Sequence, residues 1–326
     1  MNMLILSSGT RNKLVSYFLK EFENKGKIIC TDCNKLAPTL YDADQYYIVP
    51  RIDEPNYIDV VLDICKKENI KGVFSLIDPE LTLISKNKQK FLDLGVIPFV
   101  SDYEIVEMCF DKYRFYQFCK ENDFPTVRSY VNLKEFEEDY RAGNIDFPVF
   151  IKPRNGSCSM NIQKIKNMED LYFNYERYPN LIIQEYMDGE EYGADVYIDV
   201  LSEEIVSIFT KKKLLMRAGE TDKSVSVKEN HLFDSIEKFV KKAGFVGQID
   251  IDIFKVNGKY YFSEVNPRFG GGYPHAYECG CNFPKYMLKN LNNQKNVPLI
   301  GKYEENVYMM KYLDLKIKKE KMLNEK

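Results

Sequence analysis

A chain of 326 residues with a formal net charge of -3 carries no bulk basic field of the kind that draws a protein to nucleic acid. Its 44% hydrophobic and 29% charged residues fit a globular protein large enough to bury a sizeable core. No apolar run reaches bilayer-spanning length and residues 1–7 lack a signal-peptide pattern, so the expectation is a cytoplasmic protein with neither membrane nor nucleic-acid partner.

The first elements alternate. Strands are expected at 3–6, 27–31, 71–76 and 96–100, with a short apolar segment at 46–49. Helices are expected at 13–23, 57–68 and 81–91. This alternation predicts a doubly wound parallel sheet over roughly the first 105 residues. Ligands of such sheets sit at the strand carboxyl ends, where Gly9, Asp32 and Asp78 fall. Ser8-Gly9-Thr10 has a single glycine, so it is no dinucleotide fingerprint. From Asp111 onward the pattern turns to mixed α+β. It gives a helix at 112–122, strands at 149–152 and 162–165, an apolar strand at 181–186, an antiparallel pair at 192–201 and 205–210, and a helix at 234–243. The eight cysteines and two histidines lack the paired spacing of a zinc site, which favours free structural thiols in a reducing compartment.

The most telling stretch is Glu264-Val265-Asn266-Pro267-Arg268, read with Asp250 and Asp252. It sets hard oxygen donors beside a fixed cation, a combination that suits Mg²⁺ shared with nucleotide phosphates. Ile249, Ile251 and Ile253 fall on one face of a strand, and Asp250 and Asp252 on the other. Asn257-Gly258 marks a hairpin turn. A two-residue loop alone pairs Asp252 with Ser263 and turns Glu264 away. An odd loop or a bulge pairs Asp252 with Glu264 and Asp250 with Asn266, and a metal site needs that second register. The alternative is an exposed hairpin with solvated acids.

Lys152, then Pro153-Arg154-Asn155-Gly156-Ser157-Cys158-Ser159, gives a strand-end charge followed by a small-residue loop able to approach phosphate oxygens. Taken alone it is also an ordinary hairpin turn. Gln184-Glu185-Tyr186-Met187 followed by Gly189-Glu190-Glu191 offers backbone groups for a base edge and a carboxylate for ribose hydroxyls, or else a solvated acidic turn. The run Lys211-Lys212-Lys213 through Arg217 and Glu220 either counters a bound anion or blunts a solvated strand edge. His231 and His275 are read as non-catalytic.

The order Lys112, Lys152, Gly156 loop, Glu185, Glu191, Asp252, Glu264, Asn266, Arg268 resembles the ATP-grasp superfamily, and within it the carbamoyl-phosphate-synthase-like carboxylate–amine ligases. The likeness runs from the first strand to about Leu291. It includes Asp32, Ala37-Pro38, Ala43-Asp44, Pro50, Ile77-Asp78-Pro79-Glu80-Leu81 and Phe269-Gly270-Gly271-Gly272. The fold it implies is α/β and α+β: a doubly wound parallel-sheet pre-ATP-grasp domain over 1–107, then an ATP-grasp domain over 108–300 with a lid subdomain at about 113–186. A C-terminal strand and tail over 301–326 would follow.

The resemblance also implies roles. Lys112 and Lys152 would hold ATP phosphates under a lid of Gly156, Ser157 and Ser159. Gln184, Glu185, Tyr186 and Met187 would line the adenine site, and Glu191 would bind ribose. Asp252, Glu264 and Asn266, with Asp250 as a second candidate, would coordinate Mg²⁺ or Mn²⁺. Arg268, Lys152 and Arg217 would serve the reacting acyl phosphate. The implied activity is C–N bond formation from a small-molecule carboxylate and an amine, amino acids among the candidates, by a chain that could form a homodimer. The chain holds one synthetase unit and no room for a glutamine-hydrolysing domain, unlike carbamoyl phosphate synthase. The rival readings are phosphoryl transfer without amine ligation and nucleotide binding without catalysis. Asp32 and Asp78 hint at a cationic amine on one substrate.

Overall fold

The computed structural model describes residues 1–156 and 163–319, so Ser157 and Ser159 of the expected phosphate loop lie outside the described residues. The continuous apolar run of β1 (Asn2–Leu6) is buried on both faces, as a central parallel strand requires. Around it come α1 (Asn12–Phe22), β2 (Ile28–Asp32), β3 (Gln45–Ile48), α2 (Tyr57–Lys67), β4 (Ile70–Ser75), α3 (Asp78–Lys86), α4 (Lys88–Asp93) and the short β5 (Ile97–Pro98). The five strands are parallel in the order β3-β2-β1-β4-β5, the doubly wound sheet that the alternation predicts.

Two helices, α5 (Tyr103–Phe110) and α6 (Lys112–Glu121), lead into a smaller layer. It consists of β6 (Ser129–Tyr130), α7 (Leu133–Arg141), β7 (Val149–Pro153), β8 (Gln163–Ile165), α8 (Met168–Arg177) and β9 (Leu181–Glu185). The strands form an antiparallel sheet in the order β6-β9-β7-β8. Phe136, Val149, Ile151, Leu171 and Ile183 make a core of its own.

The third layer is a six-stranded antiparallel sheet. Its elements are β10 (Glu190–Ile198), β11 (Ile205–Arg217), β12 (Glu220–Val227), α9 (Asn230–Ala243), β13 (Gly247–Val256), β14 (Lys259–Asn266), α10 (Tyr273–Glu278), α11 (Phe283–Leu291) and β15 (Tyr308–Met310). The strand order is β14-β13-β10-β11-β12-β15. This makes β11 an interior strand and overturns the reading of its lysines as a blunted edge.

The β13–β14 hairpin turns on Asn257 (φ +49°) and Gly258 (φ +78°), a two-residue loop between the paired Val256 and Lys259. Such a loop alone gives the wrong register for a metal site, and the structure corrects it with a bulge. Ile253 pairs with Phe262, yet Asp252 pairs with Glu264, so Ser263 is the extra residue. Phe262, on the turn side of the bulge, shares the apolar face with Ile253, and its ring stacks 4.4 Å from that of Phe239 in α9. Beyond the bulge, Glu264 and Asn266 face the same way as Asp252 and Asp250.

Candidate active site

One face of the six-stranded sheet is therefore polar. Strand alternation lines it with Glu191 and Asp195 from β10, Lys211 and Lys213 from β11, Asp250 and Asp252 from β13, and Glu264 and Asn266 from β14. Gly193 lies between Glu191 and Asp195. A Cβ there would stand 3.1 Å from Cε of both Lys211 and Lys213, so its absence leaves room for both lysines over β10. Lys211 bonds Asp195, and Lys213 bonds Asp252. Burial alone would lower the Lys213 pKa, but Asp252, Asp250 and Glu191 raise it, so the ammonium stays charged. At Asp250, burial together with Asp252 pushes the carboxyl up to about 7.

This face forms the floor of a cleft of about 490 Å³. The wall comes from the smaller layer. Asp111 caps α6 by accepting from the Tyr113 and Arg114 backbone N–H groups, and its carboxylate also takes a bidentate hydrogen bond from Arg154 (2.6–2.9 Å). The clamp ties the end of β7 to the start of α6 and so brings Lys152 and Lys112 to the same opening. Lys152 Nζ lies 3.7 Å from Glu264 Oε2, and Lys112 Nζ donates to the Gly156 carbonyl at 2.6 Å. Burial lowers the Lys112 pKa, Glu264 opposes the shift, and Lys152 adds to it.

Arg268 is buried at the end of the acidic strand. Its Nη2 donates to Asp78 Oδ2 (2.8 Å) and Asn266 Oδ1 (3.0 Å), while its buried Nε has no hydrogen-bond partner. Asp78 thus reaches across from the first domain to hold the arginine. Asp32 is likewise committed, accepting from the backbone N–H of Gly9 (2.9 Å) and of Asn34 (2.8 Å). The hint that these two acids greet a cationic substrate group is corrected by both contacts.

Lys112, Lys152, Gly156, Glu191, Asp250, Asp252, Glu264, Asn266 and Arg268 all line the cleft. Other expected residues stand apart. Arg217, at the end of β11, is 63% exposed in its side chain with Nη2 3.4 Å from Asp222, and its neighbours Met216 and Ala218, rather than Arg217 itself, line the cleft. Gln184 donates its side-chain N–H to Ser129 Oγ (2.8 Å) in a buried hydrogen bond. Tyr186 lies beside Phe150 and under Lys164 Nζ (3.6 Å from the ring centroid), while the Glu185 N–H donates to the Arg128 carbonyl; neither residue, nor Met187, lines the cleft. His275 is satisfied inside the protein by Ser224 Oγ (2.8 Å) and the Val307 carbonyl (3.0 Å), in keeping with a structural histidine. Nothing in the sequence marks Arg11, and Lys213 does not stand out from its lysine run. Both line the cleft.

The donors suit a hard cation. Asp252 and Glu264 face each other across the ladder, Asn266 adds a neutral oxygen, and the charge on both acids is met by lysines. Among the described residues no three acidic, histidine or cysteine side chains form a ready metal cluster. Mg²⁺ is commonly held by one or two carboxylates together with water and substrate phosphates. Asp250 lies under Gly270, where a Cβ would stand about 2.5 Å from its carboxylate. Asp252 is thus the better placed of the two aspartates.

Known proteins share this architecture. A model of the ATP-grasp domain matches residues 109–272, half of the chain, and one of the PylC-like N-terminal domain matches residues 3–99. The chain belongs to the ATP-grasp family. It is 26% identical over 289 residues to the arginine-specific large chain of carbamoyl phosphate synthase from Geobacillus stearothermophilus, covering 84% of this chain and 27% of that one. It is also 26% identical over 245 residues to D-alanine–D-alanine ligase B from Clostridium perfringens, covering 68% and 76%. The chain thus spans about a quarter of the synthase chain. Among solved structures, N5-carboxyaminoimidazole ribonucleotide synthetase from Thermotoga maritima superposes with a TM-score of 0.69 at 18% identity, covering 91% of this chain and 77% of that one. The biotin carboxylase domain of 2-oxoglutarate carboxylase from Hydrogenobacter thermophilus gives 0.72 at 16%, covering 94% and 73%. At such identities the likeness is one of fold. No helix among the described residues is long and apolar enough to cross a membrane.

Proposed function

We propose that the protein is an ATP-dependent carboxylate–amine ligase. The observation that carries this reading is the bulged hairpin, which sets Asp252 opposite Glu264 in the cleft with Lys152 3.7 Å from Glu264. Lys112 and Lys152 bind the phosphates, and the backbone of Tyr186 and Met187, past the end of β9, supplies the adenine edge. Glu191 takes the ribose. Asp252, Glu264 and Asn266 would hold Mg²⁺, which screens phosphate charge when bound. A substrate carboxylate oxygen attacks the γ-phosphorus as the bond to ADP breaks, giving an acyl phosphate. The amine nitrogen then attacks the acyl carbon, phosphate leaves with its bonding electrons, and the surplus amine proton passes to solvent. Arg268, held by Asp78 and with Nε free, stabilises the charge that builds on the acyl phosphate. Lys213, bound to Asp252, joins Lys152 in neutralising the transferred phosphoryl group. The substrates are a small-molecule carboxylate and a small-molecule amine. A homodimer belongs to this reading, since the Hydrogenobacter biotin carboxylase domain is a dimer.

The test is ADP release at fixed Mg-ATP over a panel of carboxylates and amines. Glu264→Ala and Lys152→Ala should each lower turnover by about 10³-fold or more while leaving the unfolding midpoint near that of the parent. Near-normal turnover in either variant contradicts the assignment.

A further inference from the structure

The far end of the cleft holds a pair of charges from two separate domains. Arg11, from the loop before α1, places Nη2 2.6 Å from Glu220 Oε1 at the start of β12. Lys311, just past β15, places Nζ 2.9 Å from the other carboxylate oxygen. Arg11 and Glu220 both line the cleft and keep 25% and 40% of their side chains exposed. The Lys211–Asp195 pair, by contrast, is sealed at 1% and 2%. Gly271 lies directly against them, where a Cβ would stand 2.5 Å from Glu220 Oε2 and 2.7 Å from Arg11 Nη1. The loop leaving Arg268 therefore passes the pair without a side chain in the way. Burial works to raise the Glu220 pKa, but Arg11, Lys311 and Arg268 together hold it below the ordinary carboxylate value.

Resting on the ligase reading, we propose that Arg11 and Glu220 form the recognition site for the head group of an α-amino acid. The α-carboxylate would take Arg11 in a bidentate hydrogen bond, and the α-ammonium would take Glu220. Glu220 has a second cation in Lys311, so Arg11 can leave it for a ligand without stranding a carboxylate. A zwitterion of zero net charge exchanges into the pair with the charge balance intact. A simple amine would meet two cations beside one acid, and a simple carboxylate would leave Glu220 unanswered on one side. An open ion pair contributes little to stability, so its place in the cleft fits recognition better than bracing. With both α groups held, the group that reacts belongs to the side chain. Lys112, Lys152, Lys213 and Arg268 line the same cleft and favour an anionic side chain there, so the substrate class is an acidic amino acid, activated at its side-chain carboxylate.

The experiment is titration of the full chain, with MgADP present, by both enantiomers of aspartate and glutamate. Succinate and glutarate serve as the analogues without the ammonium, and β-alanine and 4-aminobutyrate as those without the α-carboxylate. At least one amino acid should bind about tenfold or more tightly than both of its analogues. R11Q should erase the advantage over the decarboxylated analogue and E220Q that over the deaminated one, with R11K keeping part of it. MgADP binding by each variant reports that the variant is folded. Analogues that bind as well as every acidic amino acid, or a preference that survives both variants, overturn the site. Phosphate release supported only by carboxylates other than amino acids also overturns it, while leaving the ligase reading standing. An acidic amino acid bound with this preference, but no phosphate released with any amine, upholds the site and strikes the ligase reading instead.

Discussion

Lys211 and Lys213 stand two residues apart on one strand and face the same way, yet the structure puts them to opposite uses. Lys211 and its partner Asp195 are almost wholly sealed, under Gly272 and beside the Phe209 ring. Burial raises the Asp195 pKa more than Lys211 can pull it down. Lys213 is just as covered along its stem, but its partner Asp252 keeps 30% of its side chain open to the cleft. Between them, Lys212 points to the other face and pairs with Glu190 in the open, at 34% and 47% exposure. Identical side chains in one tripeptide become a buried strut, a substrate-facing charge and a surface pair. The difference lies in what each acid can see, not in the lysines.

Breaking the strut should give the largest effect. Lys211→Met leaves Asp195 buried and unpaired, and should cost about 3–5 kcal/mol of stability in urea unfolding. Adding Asp195→Leu should recover most of that loss, since an apolar pair of similar volume is tolerated where half an ion pair is not. A Lys211→Met variant as stable as the parent would erase the contrast. Lys213→Ala should do the reverse. Asp252 can turn to water, so stability should change by about 1 kcal/mol or less, while turnover falls about 10²–10³-fold.

His275 extends the comparison, because it is buried beside the strut. Burial first, and Lys211 second, lower its pKa to about 4. An imidazole depressed in the folded state protonates first in the unfolded chain, whose ordinary value is about 6.5. Its contribution is therefore fully present above pH of about 6.5 and is lost as the pH falls toward about 4, amounting to about 3 kcal/mol. His275→Gln should lack that part of the acid-side slope in unfolding measured at pH 4 to 7.5. Parallel slopes for parent and variant would contradict this. The smallest effect belongs to Lys212→Ala, expected within about 1 kcal/mol and with turnover unchanged.

The sequence carried much of this arrangement, for identifiable reasons. The first sheet was legible because buried parallel strands are near-continuous apolar runs, as in β1. The acidic hairpin was legible through its alternation and its Asn-Gly turn. The bulge at Ser263 was legible only as a condition, because an extra residue has no composition of its own. Helices α7 and α8 went unread because each buries only one or two side chains, too few to set a period. Arg11 was silent because its meaning comes from Glu220, over two hundred residues away. Lys211 and Lys213 could not be told apart because the absent side chain at Gly193, which admits both, says nothing about which acid is sealed.

Asp252 and Glu264 together serving one phosphate-bound cation is the central claim. Titration of ADP with and without Mg²⁺, on the parent and on Asp252→Asn/Glu264→Gln, tests this most directly. Mg²⁺ should tighten ADP binding by about tenfold or more in the parent and leave it unchanged in the double variant. A double variant that keeps the full Mg²⁺ dependence would contradict the account.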